Sequence, residues 1–144
     1  MPGDYTKEAE ALFTAFAERH GLQYEVETGD SMELCWTFPE QEKLSQPLTL
    51  GLQNGAELKF GVSDFWFYFF PFESAAEDFD GILDAWITGQ ARVAIRDRRS
   101  RLLQVHQGNE WRTVYGASGC LFPMRARAQK FVMNELGSAS LPRS

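Results

Sequence analysis

Six consecutive aromatic residues, from Phe65 to Phe70, constrain the fold of this chain more than any other feature of its sequence. In a β-strand, successive side chains point to opposite faces of the sheet, so this segment places aromatic rings on both faces. Both faces then need cover from helices, a second sheet, a bound ligand or a partner subunit. Two interpretations follow: a central strand between helices, or a strand whose rings form a subunit interface or line an apolar pocket.

The composition predicts one globular domain. The chain has 144 residues, of which 44% are hydrophobic and 24% are charged, and a chain of this length can bury a core without disulfide bonds. We therefore expect a single domain over residues 1–136 and a flexible polar tail over residues 137–144. Cys35 and Cys120 fit buried thiols in a reducing compartment better than a disulfide bond, which is the alternative.

The sequence carries no pattern for export or membrane insertion. Its N-terminal residues lack a basic start followed by an apolar stretch. The longest apolar run is the aromatic segment, which is far shorter than the ~20 residues that span a bilayer. We predict a cytoplasmic protein that does not associate with membranes.

Apolar residues at helical spacing predict three amphipathic helices. The first runs over about Thr6 to His20, the second from Ser74 to Gly89, and the third from Pro123 to Leu136. Ser74 and Glu77 have the spacing of a capping box, which predicts the start of the second helix.

Alternating apolar residues predict the strands. Two hairpins are expected over residues 22–38 and 48–62, the second turning at Asn54-Gly55, and a three-strand meander is expected over residues 91–115. With the aromatic strand, the order becomes α-βββββ-α-βββ-α. Because hairpin-length turns join most strands, the sequence predicts an α+β fold with a mainly antiparallel sheet of about five to eight strands.

Candidates for catalysis are few. Ser118 and Cys120 are possible nucleophiles, with His106 or His20 as a base, but the glycines around Ser118 do not have the spacing of a nucleophile elbow. The sequence also lacks the spacings typical of metal sites and phosphate-binding loops. We therefore predict no catalytic residues, no metal and no cofactor. The sequence favours a protein that is not an enzyme and leaves an enzyme as the alternative.

The charge is divided unevenly along the chain. Residues 1–90 contain 17 acidic and four basic residues, a net charge of −13, whereas residues 91–144 contain three acidic and ten basic residues, a net charge of +7. In the basic part, Arg92 and Arg96 share a strand face and Trp111 lies on a neighbouring strand, a combination that binds nucleic acid or phosphorylated ligands. The acidic part would repel a polyanion, which favours an acidic protein partner or the acidic helix of the chain itself over nucleic acid.

These features favour a non-catalytic protein-binding module of the dedicated chaperone, immunity or adaptor type, with a homodimer as one form. Aromatic side chains would supply affinity and charged rims would set orientation. The alternative is a small-molecule binder or enzyme whose pocket is lined by the aromatic strand, with Arg92, Arg96 or His106 holding an anionic end. A third hypothesis is nucleic-acid binding. The predicted binding residues are Trp66, Tyr68, Phe70, Arg92, Arg96 and Trp111.

The predicted order of elements resembles that of the class I type III secretion chaperones, which are small, acidic, dimeric α+β proteins. The resemblance covers the outline of the chain, with more strands here than in that family, and it carries no residue over. It implies a dimer that binds other proteins. Small acidic bacterial immunity proteins are similar to the chain in the same general way.

Overall fold

The fold has two helices and nine strands within the residues that the computed structural model describes, which are 4–27, 32–62, 65–95, 101–117 and 130–135. The helices are α1 (Thr6–His20) and α2 (Phe72–Ile87). The strands form two antiparallel sheets of five and four strands. The predicted α+β class is confirmed, but its strands divide over two sheets instead of one. Neither described helix is long and apolar enough to cross a lipid bilayer.

The first sheet is a meander in which each strand pairs with the strand that precedes it in the chain. Its strands are β1 (Glu25–Val26), β2 (Leu34–Phe38), β3 (Leu48–Gln53), β4 (Glu57–Val62) and β5 (Phe65–Phe69). Asn54 and Gly55, with φ angles of 58° and 74°, form the tight turn between β3 and β4. Both predicted hairpins are thereby confirmed in the described residues.

Both helices cover the inner face of the first sheet. The apolar residues that alternate along β3 and β4 are buried on this face: Leu48, Leu50, Leu52, Leu58, Phe60 and Val62. Phe13 of α1 meets Trp36 edge to face at 5.6 Å between ring centres, and Trp86 of α2 meets Phe60 at 5.6 Å. The amphipathic stripe of each helix therefore faces the sheet, as the helical spacing predicts.

The second sheet contains the predicted meander and one further strand, in the order β8-β7-β6-β9. Its strands are β6 (Ala91–Ile95), β7 (Arg101–Gln107), β8 (Glu110–Ala117) and β9 (Lys130–Val132). Ala91, Val93 and Leu103 from its inner face join the core cluster that also contains residues of the first sheet and both helices. Helix α2 contacts strands of both sheets and so links them.

The prediction of a third helix is wrong in the part of that segment that the structure describes. Lys130–Val132 is strand β9, which pairs antiparallel with β6. Phe131 and Val132 fit a helical stripe, but a short apolar pattern is a weak signal, and pairing with the edge of β6 overrides it. Residues 133–135, which follow the strand, are not helical either. Residues 123–129 and 136 of the predicted helix and the predicted tail over 137–144 lie outside the described residues.

The interpretation of the aromatic segment as a central strand is also wrong, because β5 is an edge strand of the first sheet as far as the structure describes the chain. Cover for its inner rings comes from the second sheet and from α2. Tyr115 of β8 lies 5.1 Å from Phe67 and 5.6 Å from Phe69, and Phe79 of α2 lies 5.4 Å from Phe69, measured between ring centres. A second sheet thus supplies the cover that the sequence demands on this face.

Helix α2 begins at Phe72, and the predicted capping box of Ser74 and Glu77 is wrong. The backbone N–H of Ser74 donates to the carbonyl of Pro71, as in a first helical turn, and no side chain caps the helix. Phe72 is 7% exposed and stacks on Tyr5 at 4.9 Å. Burial of this ring therefore sets the start of the helix, two residues earlier than the capping pattern indicates.

Asn134 ties the end of β9 to the rest of the core. It is 2% exposed, and its amide group makes three hydrogen bonds. The Nδ2 group donates to the carbonyls of Lys43, at 2.9 Å, and Ile87, at 3.0 Å, while Oδ1 accepts from the N–H of Ser45 at 2.7 Å. One buried side chain thereby joins the loop before β3 to the C-terminal end of α2.

We predict that Asn134→Ala lowers the free energy of unfolding by about 2 to 4 kcal/mol, because three partly buried backbone groups lose their partner. Chemical denaturation measures the change. Asn109→Ala, at an exposed position between β7 and β8, is the control and should change stability by less than about 0.5 kcal/mol. Equal effects of the two substitutions would show that the Asn134 amide does not hold these segments.

Candidate functional site

Two of the predicted binding residues, Trp66 and Tyr68, lie on the outer face of the first sheet. Trp66 lies over Gly61, where a Cβ atom would come within 2.9 Å of the indole ring and would displace it from this position. Lys59 Nζ lies 4.4 Å from the centre of the Tyr68 ring, and Tyr68 is 40% exposed. These side chains form a partly exposed aromatic surface.

Phe70 does not join that surface. It follows β5, is joined to Pro71 by a cis peptide bond, and is 68% exposed. Its side chain lines a cleft between α2 and the β7–β8 hairpin. The structure therefore separates Phe70 from the shallow depression that Trp66 and Tyr68 line on the first sheet.

The cleft has a volume of about 480 Å³. Its lining includes residues from the end of the aromatic segment, the helix and the hairpin, among them Phe69, Phe70, Glu77, Gly81, Val105 and Arg112. Arg92 and His106 do not line it, although the small-molecule hypothesis places them at the anionic end of a pocket. Arg96, the third candidate for that role, lies outside the described residues.

Two other predicted binding residues meet on the outer face of the second sheet. The guanidinium carbon of Arg92 lies 4.0 Å from the ring centre of Trp111 and 4.0 Å from that of Phe131. Strand pairing places Arg92 opposite Gln104 and Trp111 opposite His106. We name Arg92, Gln104, His106, Trp111 and Phe131 the Arg92 platform.

Hydrogen bonds hold the guanidinium group in place. Arg92 Nε donates to Gln104 Oε1 at 2.8 Å, and Gln104 Nε2 donates to Thr113 Oγ1 at 3.3 Å. The two rings restrict the same group on either side. Arg92 is therefore oriented before any partner binds, which reduces the entropy that binding would cost.

Arg92 has no counter-ion among the described residues. The ion pairs within that part of the chain join Arg19 and His20 to Asp80 and Asp84. Burial lowers the pKa of Arg92 below its usual value, and no acidic neighbour in the described ranges opposes this effect. A partly buried cation without a paired carboxylate is a favourable site for an anionic group.

The sequence predicts Arg92 and Trp111 as binding residues but misses Phe131 and Gln104. Phe131 is assigned to the apolar stripe of the third predicted helix, which would bury it, whereas it is 45% exposed on β9. Gln104 alternates with Leu103 and Val105 along β7, so its position on the outer face could be inferred. Its contact with Arg92 depends on strand register, which the sequence does not reveal.

The two histidines have partners other than a nucleophile. His20 Nε2 lies 2.7 Å from Oδ1 of Asp84, and His106 Nδ1 lies 3.1 Å from Oε1 of Gln90. Ser118 and Cys120, the candidate nucleophiles, lie outside the described residues. Within the described part of the chain, no cluster of three or more histidine, cysteine or acidic side chains could hold a metal ion.

Asp84 joins the end of α1 to α2. It accepts hydrogen bonds from His20 and from Arg19, whose Nη2 lies 2.7 Å from Oδ1. Burial disfavours the charged carboxylate, but the hydrogen bonds outweigh this effect, and the pKa of Asp84 falls below its usual value. The histidine nearest to an acidic residue is therefore part of a contact between helices.

Comparison of the chain with protein-family models, with curated proteins and with solved structures gave no match. The function must therefore be inferred from the geometry of the sites.

We predict that the contribution of Asp84 to stability depends on pH. Because its pKa is lowered by folding, the contribution is present above the pKa of the unfolded chain, about 3.9, and is lost as the pH falls through the lower folded value. Asp84→Asn should reduce the free energy of unfolding by at most about 1 kcal/mol at neutral pH, since the pair is partly exposed. The difference from the unmodified protein should shrink toward pH 3.

Thermal unfolding between pH 3 and pH 7 tests this prediction. Asp78→Asn, on the same helix but in no ion pair within the described residues, is the control and should show a smaller change with pH. A constant deficit for Asp84→Asn across this range would contradict the prediction.

We also predict energetic coupling between Arg92 and Trp111. In a double-mutant cycle of Arg92→Ala and Trp111→Ala, the two losses of unfolding free energy should differ from additivity by about 0.5 to 2 kcal/mol, because either substitution alone removes the stacking contact. Chemical denaturation provides all four values. In the control cycle, Arg92→Ala is combined with Trp66→Ala, on the other sheet, and the two losses of unfolding free energy should add. If the losses for Arg92→Ala and Trp111→Ala also add, the stacking contact does not stabilise the fold.

Proposed function

We propose that this protein is a non-catalytic protein-binding module, of the dedicated chaperone, immunity or adaptor type, that receives an acidic segment of a partner protein on the Arg92 platform. One observation carries the proposal. The guanidinium group of Arg92 lies between Trp111 and Phe131 and is held by Gln104, yet no carboxylate among the described residues pairs with it.

The geometry of the platform favours a carboxylate. The aromatic rings lie against the guanidinium group and Gln104 takes the Nε–H. No acceptor in the described part of the chain is seen to bond the terminal nitrogens. These nitrogens form a planar fork that matches the two oxygens of a carboxylate. Trp111 and Phe131 also offer the aromatic surface that is common at the centre of protein interfaces.

The charge distribution favours an acidic protein over nucleic acid. A nucleic acid brings a continuous row of phosphates, and the net charge of −13 on residues 1–90 would repel it. A protein segment presents a few carboxylates that can face the basic part of the chain alone. A second copy of this chain is one such partner, because its first 90 residues supply acidic surface.

Titration with peptides tests the proposal. An octapeptide with four glutamates and a matched peptide with four glutamines are added to ¹⁵N-labelled protein, and the Arg92 Nε–H and Trp111 indole N–H signals are followed by NMR. The glutamate peptide should shift both signals and bind more weakly as salt is added. Arg92→Lys should weaken binding about tenfold, because the ammonium group retains the charge but loses the planar fork.

Arg112→Lys is the matched control, since it changes an arginine that lines the cleft and should leave the affinity unchanged. Equal binding of the glutamine peptide, or unchanged binding by Arg92→Lys, would refute the proposal. A short single-stranded DNA that binds more tightly than the glutamate peptide, and depends on Arg92, would assign the platform to nucleic acid. Light scattering at two protein concentrations shows whether the partner is a second copy.

A further inference from the structure

The cleft between α2 and the β7–β8 hairpin has the dimensions of a small-molecule site. Its volume of about 480 Å³ lies in the range that is typical of ligand pockets. Phe70, Ile82 and Val105 give it apolar lining. Phe70 is 68% exposed, so its ring is accessible to a ligand in the cleft.

Gly81 keeps the helix wall of the cleft low. It lies in the interior of α2 with no positive φ angle, and a Cβ atom added there would meet nothing within 4 Å. Neither backbone conformation nor packing therefore requires glycine at this position. Glycine destabilises a helix interior relative to alanine. What the glycine does provide is open space above the helix, at a residue that lines the cleft.

The helix wall of the cleft is acidic. Glu77 and Asp78 line it, are exposed, and form no ion pair within the described residues. They lie beyond the first turn of α2, which begins at Phe72, so the helix dipole contributes little to their placement. On the opposite wall, Arg112 donates to the side-chain oxygen of Gln107 at 3.5 Å.

We infer that this cleft binds a small organic cation, with an apolar body the size of an aromatic ring and a protonated amine. The ring lies against Phe70 and over Gly81, and the amine lies at Glu77 and Asp78. Aromatic rings pack favourably against each other, and two carboxylates outweigh the single guanidinium of Arg112. None of the five residues of the Arg92 platform lines the cleft.

Three probes that differ in one group test the inference: 4-phenylbutylamine, 4-phenylbutanol and 4-phenylbutyrate. Each is titrated into ¹⁵N-labelled protein while the amide signals of Gly81, Gln107 and Val114 are followed. The amine should bind about two- to fivefold more tightly than the alcohol, as expected for partly exposed ion pairs. The variant Glu77→Gln with Asp78→Asn changes two exposed residues and should reduce the affinity for the amine to that for the alcohol.

Substitutions at Gly81 test the location. Gly81→Leu should fill the space above the helix and weaken binding of the amine at least tenfold. Gly81→Ala is the matched control: it should bind the amine nearly as the unmodified protein does and raise the melting temperature by about 3 °C. Arg92→Lys should leave binding of the amine unchanged, so failure of this site and failure of the proposed function give different results.

Three outcomes would overturn the inference. One is the absence of any shift at these amides with the amine at about 10 mM. Another is preferential binding of 4-phenylbutyrate that Arg112→Gln abolishes, which would assign the cleft to anions. The third is unchanged binding of the amine by a folded Gly81→Leu variant, which would place the ligand elsewhere.

Discussion

Contact between the inner rings of β5 and the second sheet joins the two sheets of this structure. Phe67 and Phe69 pack against Tyr115 of β8, and Phe69 also meets Phe79 of α2. Because aromatic pairs combine large buried area with defined geometry, this contact fixes the second sheet against the edge of the first. The position of the β7–β8 hairpin beside α2 follows from it. So does the cleft, which begins where β5 ends.

Local signals in the sequence predict most of the fold, and long-range pairing accounts for the errors. The first helix is predicted over Thr6–His20 because its stripe and its stop at Gly21 are local, and the Asn54-Gly55 turn is local as well. By contrast, β9 is defined by pairing with β6, which precedes it by about 35 residues. The edge position of β5 likewise depends on how two sheets pack, and no local pattern encodes that arrangement.

The candidate sites show the same limit. Strand alternation is enough to place Arg92 on an outer face with Trp111 nearby, but Phe131 reaches the platform from β9, whose existence the helical pattern conceals. The cleft could not be predicted from the sequence. Its walls come from α2 and the β7–β8 hairpin, which are separate in the chain and meet only in the folded protein. Gly81 could have been identified from the sequence, because it lies inside a pattern typical of a helix. A glycine there reduces helix stability, which indicates a packing or functional role for the position.

Two arginines lie on opposite faces of the second sheet and have different partners. Arg101 lies on the inner face, 5.6 Å from the ring centres of Phe65 and Phe67, and its Nη2 donates to the carbonyl of Trp66 at 3.1 Å. That carbonyl belongs to edge strand β5, so Arg101 satisfies a backbone group where the two sheets meet. Arg92 makes closer aromatic contacts, at 4.0 Å from two ring centres, and donates to a glutamine side chain on an outer face. Arg101 therefore acts within the contact between the two sheets. Arg92 makes its contacts on an outer face, where the proposed function places an anionic partner.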